Sequence, residues 1–188
     1  MKGKGRAFWK NGFLVVADAP GYKDEGYAGV YGVDWPLQDF ENLQPDKDLG
    51  IPTERGAIWV ATNLEATHRY WEICVSNNIT ARLLLIETVL NYPVVQLPSL
   101  APWEFVGYDL AFMTGNFYSA IQQELIGRAA KSLRHWESRL NKHRLFDDID
   151  TAYAFLQERL TWVGSDPALE TYGDFLVTRV SRFRGLKA

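Results

Sequence analysis

The chain opens on two short apolar and aromatic runs that are separated by a turn signal. Residues 6–10 and 13–16 flank the dipeptide Asn11-Gly12. An Asn-Gly pair tolerates the positive φ angles of a type I′ turn, whose twist matches that of paired antiparallel strands. The pattern therefore predicts a β-hairpin at the start of the chain.

The middle of the chain predicts two strands followed by a helix. Residues 57–62 and 69–75 are rich in aromatic and β-branched side chains, which favour strands. Over residues 79–91 apolar side chains recur at helical spacing, and Pro93 prevents a helix from continuing. The apolar face of this predicted helix consists of Ile79, Leu83, Ile86 and Leu90.

The second half of the chain begins with two predicted strands and a long helix. Residues 93–97 and 104–112 have the apolar content of buried strands. An apolar stripe predicts a helix over 117–143, with Asn116 as its N-cap. The stripe consists of Tyr118, Ile121, Leu125, Ala129, Ser132, Trp136 and Leu140.

A last helix and a last strand complete the predicted elements. The helix begins after Asp147 or Asp148, either of which can cap it, and ends at Gly164. Residues 175–183 are rich in Val and Thr and favour a strand.

These elements follow one another without a regular βαβ rhythm, an internal repeat or a linker. The expected fold class is therefore α+β, with a mixed or antiparallel sheet and about three helices. We expect residues 1–188 to form a single domain, since a chain of this length can bury roughly 70% of its unfolded surface.

The cysteine content and the amino-terminal sequence indicate the cellular compartment in which we expect the protein. One cysteine, Cys74, excludes an internal disulfide and makes a cysteine-based zinc site improbable on chemical grounds. The apolar run after the basic amino terminus is interrupted by Lys10-Asn11-Gly12, so neither a signal peptide nor a membrane span is expected. A cytoplasmic protein without cofactor or metal is the expectation.

The charge of the chain is strongly segregated. Residues 18–54 contain nine carboxylates and two lysines, although the whole chain has a net charge of -3. Tyrosine and tryptophan, which are enriched at binding hot spots, are interleaved with these acids. We expect this segment, a loop rich in Gly and Pro, to face a basic partner.

The candidate partner-binding residues are Asp24, Glu25, Tyr27, Tyr31, Asp34 and Trp35. The alternatives are that the acidic and basic surfaces face each other within the fold, that the acids keep the protein soluble, and that Tyr31 or Trp35 anchors the loop on the core.

Two pairs of residues that could carry catalysis or a metal are too far apart in their predicted elements. His68 and Cys74 are separated by roughly 20 Å along a strand, beyond the reach of a nucleophile and its base. His135 and His143 lie about 12 Å apart on one helix and cannot share a zinc ion.

A set of carboxylates supports the alternative of an enzyme. Strand alternation places Asp109 among small and apolar neighbours, where a buried carboxylate needs a hydrogen-bond donor. Paired with Glu104 or Glu124, and beside Tyr108, it could serve as an acid or base in a hydrolase or transferase.

Basic residues of the predicted long helix suggest nucleic-acid binding as a third reading. They are Arg128, Lys131, Arg134, Arg139 and Lys142. A pI of about 5.6 argues against a protein built for that purpose.

Three short motifs resemble small bacterial immunity proteins that are encoded beside polymorphic toxins. The motifs are Gly107-Tyr108-Asp109-Leu110-Ala111, Asn116-Phe117-Tyr118-Ser119-Ala120-Ile121 and Leu140-Asn141-Lys142-His143-Arg144-Leu145-Phe146. The resemblance extends over residues 93–183. It implies a non-enzymatic, cytosolic protein that binds and blocks a toxin domain, commonly a nuclease with a basic cleft.

Overall fold

The computed structural model describes residues 8–17, 64–76, 81–90, 92, 102–113, 117–171 and 174–185. The acidic segment, the predicted strands 57–62 and 93–97, and Asn116 lie outside these residues. The expectation of a single domain for residues 1–188 stays a prediction.

The described strands form one five-stranded sheet in the order β1-β2-β5-β3-β4, in which every neighbouring pair is antiparallel. The strands are β1 (Phe8–Ala17), β2 (Ala81–Val89), β3 (Trp103–Met113), β4 (Phe117–Ser119) and β5 (Leu176–Phe183). Together with the helices described below, this sheet confirms the α+β class.

In the described part of the chain, four helical elements accompany the sheet, where the sequence predicts about three for the whole chain. They are α1 (Leu64–Ser76), a π-helical segment (Ile121–Gly127), a 3₁₀ helix (Lys131–Arg139) and α2 (Ile149–Trp162). In the part of the chain that the structure describes, no helix has the length and apolar character needed to cross a membrane.

Two hydrophobic clusters use alternate residues of the same strands. Phe13, Leu83 and Leu85 form the smaller cluster, against which Trp71 of α1 packs. The intervening residues of β1 and β2 belong to a larger cluster, which also contains the buried apolar side chains of α2, the π-helical segment and the 3₁₀ helix. Period-two alternation of the strands therefore supplies both clusters.

The prediction of a β-hairpin at the start of the chain is wrong. Residues 8–17 form one strand, and its register against β2 shifts between Lys10 and Gly12. Asn11 is the extra residue of a β-bulge, and Gly12 adopts a φ of 149°. Asn11-Gly12, which we interpreted as a turn, instead forms a bulge within one continuous strand.

Two elements in the middle of the chain have the opposite type from the prediction. Residues 69–75 belong to α1 rather than to a strand, and residues 81–89 form β2 rather than a helix. All seven residues from Leu83 to Val89 are buried. A strand covered on both faces shows no polar alternation, so its period does not separate it from a buried helix.

The predicted long helix over 117–143 is interrupted. It is replaced by β4, the π-helical segment and the 3₁₀ helix, and Ala129 between the last two has a φ of 51°. The buried positions were nevertheless predicted correctly in part, since Ile121, Leu125 and Trp136 all lie in the core.

Three predicted elements are confirmed. β3 matches the predicted strand 104–112, and β5 matches the predicted strand 175–183. α2 begins after Asp148, whose side chain accepts a hydrogen bond from the Thr151 backbone N–H at 2.7 Å. Gly164 follows the helix with a φ of 84°, as a C-terminal stop requires.

Candidate functional site

The six predicted partner-binding residues belong to the chain between β1 and α1. Asp24, Glu25, Tyr27, Tyr31, Asp34 and Trp35 all lie outside the described residues. The interface therefore stays a prediction. Of the predicted site, the structure describes the carboxylate set and Tyr108.

A β-bulge in β3 changes which of these residues share a face. The pairing of β3 with β5 shifts between Phe105 and Gly107. Beyond the bulge, Asp109 points to the same face as Glu104, whereas simple alternation had placed them on opposite faces. Consistent with this shift, the rings of Phe105 and Tyr108 lie together, with centroids 5.0 Å apart.

Glu104 is held by two arginines of β5 and of the chain just after it. Its carboxylate oxygens accept hydrogen bonds from Arg182 at 2.8 Å and from Arg184 at 3.1 Å. These bonds lower the pKa of Glu104 from 4.5 to about 2. A carboxylate stabilised in its ionised form in this way is a poor proton donor at neutral pH.

Asp109 is completely buried in β3. Its Oδ1 accepts a hydrogen bond from the Leu110 backbone N–H at 2.7 Å, which meets the expectation that a buried carboxylate needs a donor. The adjacent Tyr108 is also buried, and burial raises its pKa to about 12. Among the described residues, the Tyr108 hydroxyl has no hydrogen-bond partner.

Glu124 belongs to a buried ion pair that connects the π-helical segment, α2 and the chain that follows α2. Its two carboxylate oxygens accept hydrogen bonds from Nε and Nη2 of Arg159 in α2, both at 2.6 Å. The Glu170 backbone N–H donates to Glu124 as well, at 2.8 Å. The Arg159 guanidinium also lies over the ring of Phe175, 3.8 Å from its centroid.

Glu104 and Asp109 do not form a compact acid and base pair. Glu104 lies opposite Arg182 and Asp109 lies opposite Thr178, and the four-residue separation along β5 corresponds to about 13 Å. Glu124 is bound by Arg159 and by the chain at Glu170. The contacts that surround these side chains stabilise the fold and give no specific support to the enzymatic alternative.

Arg159 and Glu170 complete this network, and sequence reasoning missed both. The signal for Arg159 was present, because it follows Ala152 and Phe155 on the buried stripe of α2. A charged residue at an apolar position of a helix indicates a buried partner. Glu170 has no comparable signal, since it lies in an irregular stretch after α2.

The cysteine and histidine candidates are separated in space. His68 and Cys74 both lie in α1 rather than in a strand, where six residues rise about 9 Å and place the two side chains about 120° apart around the helix. Cys74 is buried, which raises the pKa of its thiol to about 11. His135 contacts Glu158, with Nε2 and Oε1 3.3 Å apart, whereas His143 lies in the turn beyond the 3₁₀ helix. Among the described residues, no group of three or more His, Cys, Asp and Glu could hold a metal ion.

The basic residues of the predicted long helix do not form one continuous face. Arg128 is paired with Glu170, with Nη1 and Oε1 2.5 Å apart. Arg139 lies over the ring of Trp136, 4.7 Å from its centroid. The interruption at Ala129 separates Arg128, which follows the π-helical segment, from Lys131, Arg134 and Arg139 of the 3₁₀ helix.

An open groove lies between α1 and the ends of β3 and β5. Its volume is about 570 Å³. It is lined by Leu64, Glu65, His68, Arg69, Glu72, Pro102, Trp103 and Phe183. Trp103 and Phe183 are direct cross-strand partners, and their ring centroids lie 5.5 Å apart. This groove combines an aromatic floor with a charged rim.

Comparisons with known proteins identify no relative. No protein-family model matches the chain, and neither the curated proteins nor the solved structures include a significant match.

Proposed function

We propose that this protein is an immunity-type inhibitor that binds and blocks a basic bacterial toxin domain, most simply a nuclease. The observation that carries the proposal is the charge segregation of residues 18–54, in which nine carboxylates and two lysines alternate with aromatic residues. A surface of this composition attracts a basic protein over long range and offers rigid aromatic side chains for the contact itself.

The described elements that flank the acidic segment in sequence both belong to the folded framework. The segment follows β1, which pairs with β2, and precedes α1, which contacts both of these strands. A binding segment with folded elements before and after it loses less conformational freedom on binding than a tail with one attachment.

The mechanism is steric occlusion assisted by electrostatic steering. The acids bring the basic cleft of the toxin to the protein, and the segment around residues 24–35 then covers the cleft. No chemical step and no cofactor is required of the inhibitor. As part of this proposal the protein acts in the bacterial cytoplasm, where its one thiol stays reduced.

The partner can be identified from the native cell. The tagged full-length chain is purified at low salt, and a stoichiometric basic partner is identified and produced separately. We expect the partner to be toxic when expressed alone, and its activity to be lost on addition of this protein. A stoichiometric partner whose activity is unchanged by the complex, or the recovery of no stoichiometric partner, would refute the proposal.

Charge reversal then tests the predicted interface. The variant Asp24→Lys/Glu25→Lys/Asp34→Lys should bind the partner roughly 100-fold more weakly or worse, since it removes contact and steering together. The matched control Asp39→Lys/Glu41→Lys/Asp46→Lys makes the same charge change in the same segment. We expect the control to slow association while leaving dissociation nearly unchanged. Equal effects of the two variants would remove the specific interface and leave a general charge effect.

A further inference from the structure

The groove between α1 and the ends of β3 and β5 has the shape and charge of a site for a cationic side chain. We propose that it receives an arginine side chain of the basic protein partner. This inference rests on the proposed function, because it assumes a basic protein as the occupant, and it adds a second contact outside residues 18–54.

One wall of the groove is formed by residues of α1 that lie on the same face of the helix. Glu65, His68, Arg69 and Glu72 are separated by three, one and three residues, so they share one helical face. The imidazole of His68 packs edge-on against Phe183, with ring centroids 5.1 Å apart. That contact holds this helical face beside the aromatic floor.

The charge on the rim is available to a ligand. Glu65 and Arg69 are 3.7 Å apart and both largely exposed, so they form a weak surface pair. Glu72 is 60% exposed, and its described ionic contact is His68 Nδ1 at 3.5 Å. With more than half of its side chain exposed, the Glu72 carboxylate is accessible to a ligand that enters the groove.

The chemistry of the groove matches arginine better than other side chains. A guanidinium plane stacks on aromatic rings such as Trp103 and Phe183, and its fork of N–H donors fits the carboxylate of Glu72. The aliphatic stem of the ligand would contact Leu64 and Pro102. The volume of about 570 Å³ lies within the range of sites that enclose small ligands.

A small probe tests the groove without the toxin. N-acetyl-arginine amide is titrated into the purified full-length chain, and the assigned indole N–H resonances of Trp103 and Trp71 are followed by NMR. We expect saturable shifts with an affinity in the millimolar range. The neutral isostere N-acetyl-citrulline amide should produce no saturable shift, because it lacks the cation. Equal binding of the two probes, or binding of neither, would overturn the proposal.

Two variants locate the site. Glu72→Gln should weaken binding of the arginine probe at least about fivefold, since a charge-assisted bond is replaced by a neutral one. Its side chain is largely exposed, so the variant is expected to fold. Asp174→Asn, at the opposite end of β5, should bind the probe like the parent chain. An unchanged affinity in Glu72→Gln would exclude the groove as the site.

The two proposals can fail separately. If the chain neutralises a basic toxin but does not bind the arginine probe, the groove inference is wrong and the proposed function stands. If the probe binds at Glu72 but no toxic partner exists, the groove is a cation site and the proposed function is wrong.

Discussion

Gly107 is restricted to glycine by the close approach of another part of the chain. A Cβ at this position would lie 2.5 Å from Cβ of Leu145 and 2.9 Å from the carbonyl oxygen of Phe146. The same segment is tied to β3 by a pair of backbone hydrogen bonds between Tyr108 and Phe146, at 2.8 and 2.9 Å. The Asn141 side chain adds a bond to the Val106 carbonyl oxygen at 2.9 Å. Two of the motifs that carry the immunity-protein resemblance therefore meet here.

Gly107→Ala should destabilise the protein by about 2–4 kcal/mol, because the methyl group meets backbone and Cβ atoms that cannot easily move. Gly164→Ala is the matched control, since Gly164 also has a positive φ but no atom lies within 4 Å of the position that its methyl group would take. The control should cost about 1 kcal/mol. Urea unfolding measures both changes, and equal losses would show that strain at φ, and not the contact, governs Gly107.

Glu104 makes a contribution to the free energy of unfolding that is lost at acid pH. Its pKa in the folded state is lowered to about 2 by Arg182 and Arg184. A carboxyl with a lowered folded pKa stabilises the fold above its ordinary pKa of 4.5, and the contribution is lost as the pH falls from about 4.5 to about 2. Because the side chain is 30% exposed, we discount the full shift and expect about 1 kcal/mol.

Glu104→Gln should therefore unfold about 1 kcal/mol more easily at neutral pH, and this difference should shrink toward zero as the pH approaches 2. Urea unfolding of both chains across the acid range measures the difference. The ¹³C chemical shift of the Glu104 carboxyl gives its pKa directly. A midpoint near 4.5 would contradict the two arginine bonds.

At the scale of elements, local signals decided which parts of the fold were predictable. Asp148 and Gly164 mark the two ends of α2, and these capping residues act within one turn of chain. β2 was missed because both of its faces are buried, so its side chains show no alternation of polar and apolar residues. α1 was missed because aromatic and β-branched content outweighed a helical spacing that was present. Thr67, Trp71 and Cys74 follow that spacing, and Thr67 and Cys74 are buried.

Those features of the candidate site that depend on neighbouring residues in the sequence could be predicted, and those that depend on distant residues could not. Asp109 was recognised as a buried carboxylate because its sequence neighbours are apolar. Its relation to Glu104 was misjudged because one bulge residue reverses the alternation of a strand. Arg159 and Arg182 reach their carboxylate partners from 35 and 78 residues away. Pairings over such separations depend on the tertiary fold, which local sequence patterns do not reveal.

The buried pair of Glu124 and Arg159 connects the π-helical segment to α2. Glu124→Gln should destabilise the protein by about 3–5 kcal/mol, because it leaves the Arg159 guanidinium buried without a counter-charge. Arg159→Met should cost a similar amount. The double variant should lose less than the sum of the two single variants, since neither charge is then left alone. Urea unfolding of the four chains completes the cycle, and strictly additive losses would contradict a direct pair.

At the scale of the whole molecule, the charges of the two parts of the chain have opposite signs. Residues 18–54 are strongly acidic, so the remainder of the chain carries a net positive charge within a total of -3. In the described framework several of the cations are used internally, among them Arg128, Arg159 and Arg179, each paired with a glutamate. The acidic segment therefore concentrates the negative charge that a basic partner would meet first.

If the protein binds the proposed basic toxin domain, the rate of association should fall as salt is added. The Debye length shortens from about 10 Å at 0.1 M salt to about 3 Å at 1 M, so attraction between the acidic segment and a basic cleft is screened. We expect the association rate constant to fall roughly tenfold or more over this range, with a much smaller change in dissociation. Surface plasmon resonance with the purified partner measures both rates.

The Asp39→Lys/Glu41→Lys/Asp46→Lys chain should show a flatter salt dependence, because less charge remains to be screened. A salt-independent association rate in the parent chain would mean that the partner is not recognised by its basic charge.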